Sequence, residues 1–271
     1  MSHVTAPRHI SCEQSYQRTE GPLDWPMIRY DFDQVFGDDY LHFSGDMLTD
    51  ERSDMDVELI VRLLGLQSGM RVLDVACGHG RIANRLAQLG CEVVGVDNNA
   101  RFLDVARQVG RPVDYRLADM RELPPDGPFD AVVNWFTSYG YFDDATSRAM
   151  LASWRRALKP GGRLVIDHQN RQRLLGVMAA SGWPPVTLRE RGDDLLIDRT
   201  TFDVASARTN TERIIVRDGS VHRYWFSVRT FAFTELRDWL LDAGFGEVAG
   251  YGAEGEPLAL GSRRMVVVAR A

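Results

Sequence analysis

Between residues 71 and 167 the chain alternates short apolar runs with segments whose apolar positions recur three and four apart. The runs at 71–76 (RVLDVA), 91–97 (CEVVGVD), 113–118, 129–135 (FDAVVNW) and 163–167 (RLVID) have the length and β-branched content of buried strands. The segments between them predict helices at 81–89, through Phe102, Val105, Ala106 and Val109, and around 149–158, with Gly90 and Gly110 as exits. An earlier helix over 54–66 is marked by Val57, Ile60, Val61 and Leu64, with Gly65 and Gly69 closing it. Strand–helix alternation of this kind builds βαβ units and a parallel sheet covered on both faces.

After His168 the period shortens to two. Three alternating pieces, 195–204, 210–219 and 220–229, predict an antiparallel meander inserted in the sheet, with Asp218-Gly219 as a two-residue hairpin turn. The parallel plan is expected to resume with a helix over 234–243, opened by Thr234 as N-cap and closed by Gly244, and with strands at 245–251 and 264–269. Upstream, residues 25–48 mix Trp25, Tyr30, Phe32, Phe36, Tyr40 and Phe43 with aspartates, and aromatics in irregular sequence cover either core or ligand. The division expected is an arm or lid over 1–50, a core over 51–170, an inserted subdomain over 171–230 and a completion of the core sheet over 231–271.

Composition narrows the function. In 271 residues, 38 acids exceed 32 bases for a net charge of −6, which argues against nucleic acid or an anionic membrane surface as partner. Lys159 is the one lysine, so neither Schiff-base chemistry nor a Walker lysine is expected. Cys12, Cys77 and Cys91 are odd in number and lack zinc spacing, so no metal and a reducing cytoplasmic setting are expected. The first twenty residues hold no signal-peptide core, and no run reaches bilayer length.

The chemistry concentrates where the first strand meets the first core helix, at Asp74-Val75-Ala76-Cys77-Gly78-His79-Gly80. Glycines there let backbone approach a ligand near the carboxyl ends of the strands. Gly78-x-Gly80-x-x-Ala83 followed by Asp97 also satisfies a loose dinucleotide fingerprint, which keeps a nicotinamide-dependent oxidoreductase open as an alternative. Asp74, however, puts a carboxylate beside the loop, which suits an ammonium and a sulfonium better than a pyrophosphate. Asp119 closes the third strand, and Asn134-Trp135 ends the fourth.

Taken together, VLDVACGHG, GVDNN, LADM and ALKPGGRLVID resemble the motifs of class I S-adenosylmethionine-dependent methyltransferases, over roughly 51–167. The resemblance implies an α/β Rossmann-like sheet with helices on both faces. Residues 163–170 are further similar to the fifth-strand segment of glycine N-methyltransferase and related small-molecule enzymes. That likeness implies an inserted antiparallel sheet after the fifth strand and an N-terminal lid. It departs at residues 134–142, where Thr137 replaces the asparagine that helps hold glycine, so glycine is not carried over.

The resemblance implies S-adenosyl-L-methionine as cofactor, leaving S-adenosyl-L-homocysteine. Asp97 would take both ribose hydroxyls, Asp119 and Met120 the adenine, and Arg52 the carboxylate. Asp74, Ala76, Cys77, Gly78, Gly80, Asn98, Asn134 and Trp135 would line the same cofactor site, with Tyr30 or Tyr40 folding over it. For the reaction itself, His168 is the candidate for proton handling, because it ends the fifth strand facing the expected cleft and has a near-neutral intrinsic pKa. Its rival role is structural. Tyr139 and Tyr141 either orient the acceptor or pack the rim, and Asn170 either bonds the acceptor or caps the next turn. Thr137, Ser138, Trp225 and Arg229 form the expected substrate wall, with sheet packing as the rival for the last two. The expected activity is methyl transfer to nitrogen, or otherwise oxygen, of a small molecule, in specialised metabolism. A non-catalytic domain that merely binds the cofactor is the other alternative, and a homo-oligomer is left open.

Overall fold

The computed structural model describes residues 32–45, 47–123, 127–180 and 186–271. Tyr30 and the first part of the expected arm lie outside them. Two short helices, α1 (Phe32–Val35) and α2 (Asp38–Ser44), precede α3 (Asp50–Leu64), whose N-cap Thr49 accepts the N–H of Arg52 at 3.2 Å. The alternating core follows as β1 (Arg71–Val75), α4 (Ala83–Gln88), β2 (Glu92–Asp97), α5 (Ala100–Gln108), β3 (Val113–Leu117), β4 (Phe129–Asn134), α6 (Asp144–Ala157) and β5 (Leu158–Gln169). Next come α7 (Arg171–Ala180), β6 (Val186–Arg191), β7 (Asp194–Asp203), β8 (Arg208–Arg217) and β9 (Ser220–Arg229). The chain closes with α8 (Phe233–Asp242), β10 (Glu247–Tyr251) and β11 (Arg264–Arg270).

Seven strands form one sheet in the order β10-β11-β5-β4-β1-β2-β3. The five runs read as strands pair parallel, and β1 lies between β2 and β4, so the strand order reverses there and a crevice opens at the carboxyl ends. Alternation along the strands assigns the two faces. Leu73, Val75, Val132, Leu164 and Ile166 meet Met150, Leu151 and Trp154 of α6. Val72, Val93, Ala131, Val133 and Val165 meet Ile60 and Leu64 of α3 and Leu86 of α4.

Four details differ from the sequence reading. The parallel plan does not simply resume, because β11 runs antiparallel to both β5 and β10. The meander is not inserted in the main sheet but forms the separate antiparallel sheet after the fifth strand that the family likeness implies, β6-β7-β8-β9, with a strand and the helix α7 that the weak periodicity of 171–191 did not announce. Thr234 is not an N-cap: Ala232 holds that position with extended backbone and no side-chain bond. Helix α6 starts five residues before its apolar pattern, because Asp143 caps it by accepting the N–H of Thr146 at 2.8 Å. The Asp218-Gly219 turn does have left-handed backbone at both residues (φ 51° and 73°), as a two-residue hairpin needs.

The small sheet is fastened over the carboxyl edge of the large one. Buried Arg208 of β8 donates to the carbonyls of Gly140, Tyr141 and Phe142 at 3.0–3.2 Å, and the Arg229 N–H donates to the Gly140 carbonyl at 2.7 Å. The approach is close enough that a Cβ at Gly140 would lie 2.5 Å from the Arg229 carbonyl oxygen.

Gly80 occupies a similar pinch, left-handed at φ 78°, where a Cβ would sit 2.2 Å from the Tyr115 hydroxyl and 2.8 Å from Ala106 Cβ. Overpacking and backbone strain act together there, so Gly80→Ala is expected to cost about 2–4 kcal/mol. Denaturant unfolding measures this, and a change under 1 kcal/mol would show that α5 yields freely.

Candidate functional site

The turn leaving β1 carries Ala76 (φ 58°) and Gly78 (φ 55°) in left-handed backbone, and the carboxylate ending β2 holds it. Asp97 Oδ2 accepts the Gly78 N–H at 2.8 Å and Oδ1 accepts the Asn99 N–H at 2.9 Å. Burial raises this carboxyl above its ordinary pKa, while the amides of Asn99, Gly78 and Asn98 oppose the rise. Each oxygen keeps a second lone pair for a further donor.

Asp74 lies deeper, 2% exposed, with Oδ2 accepting no hydrogen bond. Burial first, and the nearby Asp97 charge in addition, push its pKa up to about 7 against the opposing pull of Arg81. Arg81, which follows Gly80, donates Nη1 to Asp56 Oδ2 at 2.8 Å, while Arg52 Nε meets Asp56 Oδ1 at 3.1 Å. Arg81 Nη2 is buried and unpartnered, and its guanidinium lies 5.3 Å from the Phe136 ring centroid.

A second left-handed turn leaves β4, at Phe136 (φ 63°) and Thr137 (φ 64°). Asp167 of β5 anchors it, accepting the Phe136 N–H at 2.9 Å and a two-nitrogen contact from Arg264 at 2.6 and 2.7 Å. Arg264 also donates to Thr137 Oγ1 at 2.7 Å.

Between these turns and the small sheet lies a cavity of about 930 Å³. Tyr40, Arg52, Asp74, Ala76, Cys77, Gly78, Asp97, Asn98, Asp119, Met120, Trp135, Thr137, Ser138 and Tyr141 all line it. Asp119 is chelated by Arg121 at 2.6 and 2.9 Å, which lowers its pKa. Burial pushes the Cys77 thiol well up, leaving it a protonated wall group. Burial likewise raises Tyr40 and Tyr141.

Seven other candidates do not line the cavity. His168 is fully buried behind the wall, edge-on to Phe231, with Nδ1 3.3 Å from the Gln169 carbonyl; burial, and then Arg264, lower its pKa to about 4. The expectation that it faces the cleft is therefore corrected. Its neighbour Gln169 faces the cavity instead. Tyr139 is buried and donates to the Ser147 carbonyl at 3.0 Å. Asn134 ties β4 to β1 by donating to the Val75 carbonyl at 3.0 Å. Asn170 caps α7 by accepting the Gln172 N–H, and its amide holds the carbonyls of Ala259 and Ser262. Arg229 is spent on Asp144 and Glu235, and Trp225 pairs with Glu212 on the opposite face of β9 from Phe226 and Val228. Gly80 is a packing glycine, as described above.

The sequence reading passed over Arg81, Gln169, Asn99, Asp198 and Arg213, which all line the cavity. Arg81 had a signal in its place directly after the glycine turn. Asn99 had one in the GVDNN motif, as the residue before α5, whereas Gln169, Asp198 and Arg213 sit where only the strand faces reveal them. Among the described residues no His, Cys, Asp and Glu group could hold a metal, and no helix is long and apolar enough to cross a membrane.

An open α/β sheet with a buried acid and guanidinium at one end of its cleft and a strand-end carboxylate beside them defines a nucleotide-type site of the Rossmann-like class. The methyltransferase domain family matches residues 72–162. A glycine/sarcosine N-methyltransferase of Parasynechococcus marenigrum is 30% identical over 210 residues, covering 74% of this chain and 72% of that protein. A ubiquinone biosynthesis O-methyltransferase of Idiomarina loihiensis is 36% identical over 129 residues, 43% of this chain and 52% of that protein. The S-adenosylmethionine-bound structure of CalS10, an amino pentose methyltransferase from Micromonospora echinaspora, matches in fold with a TM-score of 0.63 at 22% identity, over 91% of this chain and 99% of that one. The chain belongs to the class I S-adenosylmethionine-dependent methyltransferases, with S-adenosylmethionine as cofactor.

The residues present fit that cofactor. The unpartnered Asp74 Oδ2 and Arg81 Nη2 are complementary to an α-ammonium and an α-carboxylate, and Arg52 stands beside Arg81 through their shared Asp56. Asp97 retains acceptor capacity for a diol.

Asp74 holds its proton to about pH 7 in the fold and to 3.8 otherwise, so its contribution to stability is complete below about pH 4 and is lost as pH rises through 7. The loss is on the order of 4 kcal/mol. Asp74→Asn is expected to flatten this dependence in cofactor-free thermal melts and to weaken S-adenosylhomocysteine binding roughly thirtyfold or more. A variant that keeps the wild-type pH profile would place the buried charge elsewhere. Calorimetry should also find that Asp97→Ala loses far more cofactor affinity than His168→Ala, and equal losses would contradict the assignment of the ribose carboxylate.

Proposed function

We propose that the protein transfers the methyl group to an amine nitrogen of a small-molecule acceptor. The observation that carries this reading is the protonation state of the acceptor side of the cavity. Among the described residues there, Asp198 is taken up by Arg213 at 2.8 and 2.9 Å, Tyr40 and Tyr141 have raised pKa values, and His168 lies behind the wall. Among the described residues of the small sheet and α2 that line the cavity, no free base is placed to take a proton from an alcohol, and His79, which also lines it, packs edge-on against Phe102 beside the turn that leaves β1. A neutral amine needs none, because its lone pair attacks first and the proton leaves afterwards.

Bound S-adenosylmethionine supplies an electrophilic methyl group on a sulfonium. The chain's own work is alignment and exclusion of water. Asp74 and Arg81 hold the amino-acid end, Asp97 the sugar, and Asn98, Asp119 and Met120 the base. Gln169 Oε1, buried without a donor, offers an acceptor for an amine N–H. The small sheet and α2 roof the site. The net charge of −6 and the enclosed cavity support a small molecule over a nucleic acid. The name of the glycine/sarcosine N-methyltransferase supports nitrogen, and the calicheamicin biosynthesis that CalS10 takes part in supports a place in specialised metabolism.

The test is a panel of paired amines and alcohols incubated with methyl-labelled S-adenosylmethionine and read by mass spectrometry. Label is expected on nitrogen, with alcohols at least a hundredfold slower, the scale of a missing general base. Label on oxygen at comparable rate would overturn the reading.

A further inference from the structure

The face of the small sheet turned to the cavity carries more positive charge than it neutralises. Asp198 and Arg213 pair directly across β7 and β8, and Arg213 satisfies both carboxylate oxygens through Nε and Nη2. Its guanidinium lies 5.0 Å from the Phe226 ring centroid, and its Nη1 has no hydrogen-bond partner among the described residues. Arg189, on the edge strand β6, lines the same cavity, with neither ion pair nor hydrogen bond among the described residues. Both arginines, like Arg81 and Asp97 of the floor, act electrostatically on the Tyr40 hydroxyl, and on the small sheet Arg189 and Arg213 share the face that lines the cavity. Two guanidinium groups against one carboxylate leave a single positive charge over.

We propose that this roof is an acceptor-anchoring subsite in which Arg213 Nη1 and Arg189 hold one carboxylate, so that the acceptor is an amine bearing a carboxylate at its far end. One surplus charge matches a monoanion, whereas a phosphate dianion would stay half-balanced. A charged hydrogen bond from a fixed guanidinium gives such a group direction as well as attraction. The carboxylate and the amine are well separated, because roof and reactive floor belong to different sheets. The cavity of about 930 Å³ also lies at the upper end of small-molecule sites, which run from about 300 to 1,000 Å³, and exceeds what the cofactor and a glycine-sized acceptor fill. The inference rests on the amine reading above, and it is tested by binding without turnover so that the two fail separately.

The protein saturated with S-adenosylhomocysteine is titrated calorimetrically with glycine, 4-aminobutyrate, 6-aminohexanoate and the primary amide of each. At least one of the longer acids is expected to bind about tenfold or more tightly than its own amide and than glycine. R189Q, on an edge strand, should remove the preference for acid over amide and leave S-adenosylhomocysteine affinity within about twofold. R213K should weaken every acid of the series, because an ammonium cannot serve Asp198 and a ligand in the same fork geometry. Equal binding of acids and amides, glycine matching the longest acid, no binding by any acid, or a preference that survives R189Q would each overturn the proposal. A product methylated on oxygen would overturn the amine reading and leave these titrations unchanged.

Discussion

Two buried carboxylates, each at the end of one strand and each gripping the turn that leaves the next, hold this site open. Asp97 of β2 fixes the turn after β1 through the Gly78 N–H, and Asp167 of β5 fixes the turn after β4 through the Phe136 N–H. Both turns contain non-glycine residues in left-handed backbone, Ala76 in one and Phe136 with Thr137 in the other. Such conformations cost on the order of 1–3 kcal/mol each and persist only where surrounding bonds over-determine them. Here each carboxylate has a second anchor, the Asn99 amide for Asp97 and Arg264 for Asp167, so neither can relax with the turn. The crevice set by the strand order β4-β1-β2 thereby becomes a shaped floor.

On that floor the chain leaves charge unbalanced. Asp74 Oδ2 and Arg81 Nη2 are buried without partners, a condition that destabilises a cofactor-free fold by leaving desolvated groups uncompensated. A ligand carrying the complementary ends converts that cost into affinity and stabilises the folded state by mass action. The raised pKa of Asp74 and the strained turns express one trade, in which local stability is given up where the ligand restores it.

The strand–helix alternation, the glycine exits and the Asp218-Gly219 hairpin were legible in the sequence because each follows from local periodicity or from one residue's backbone freedom. The strand-end acids were legible from the resemblance. What was not legible depended on which face a side chain takes. His168 and Gln169 are neighbours, and the bulged entry of β5 around residues 159–162, with its register step opposite Phe129 and Ala131, decides which of them meets the cavity. A period of two cannot supply that parity. The same ambiguity separates Trp225 and Arg229 from Phe226 and Val228. Asn134 and Asn170 look like ligand residues in sequence, yet they satisfy backbone carbonyls of other segments, which only the packed chain brings near them. The antiparallel last strand is equally silent, because direction leaves no trace in hydrophobic pattern.

The N-terminal helices join floor to roof. The Phe36 carbonyl accepts from Asn99 Nδ2 at 2.8 Å, beside the Asp97 turn, while Arg217 of the small sheet reaches Asp39 at 3.0 Å. Tyr40, directly after Asp39, packs on Phe36 and Phe102 and feels both Asp97 and Arg213. A short helical segment bonded to both floor and roof near its start, and to Arg191 of the small sheet through the His42 carbonyl, keeps water from the space where a neutral amine must stay desolvated and aligned, which is most of what methyl transfer asks of a protein. The low-dielectric enclosure also strengthens every fixed charge inside it, so the same attachments that close the cavity sharpen its choice of ligand.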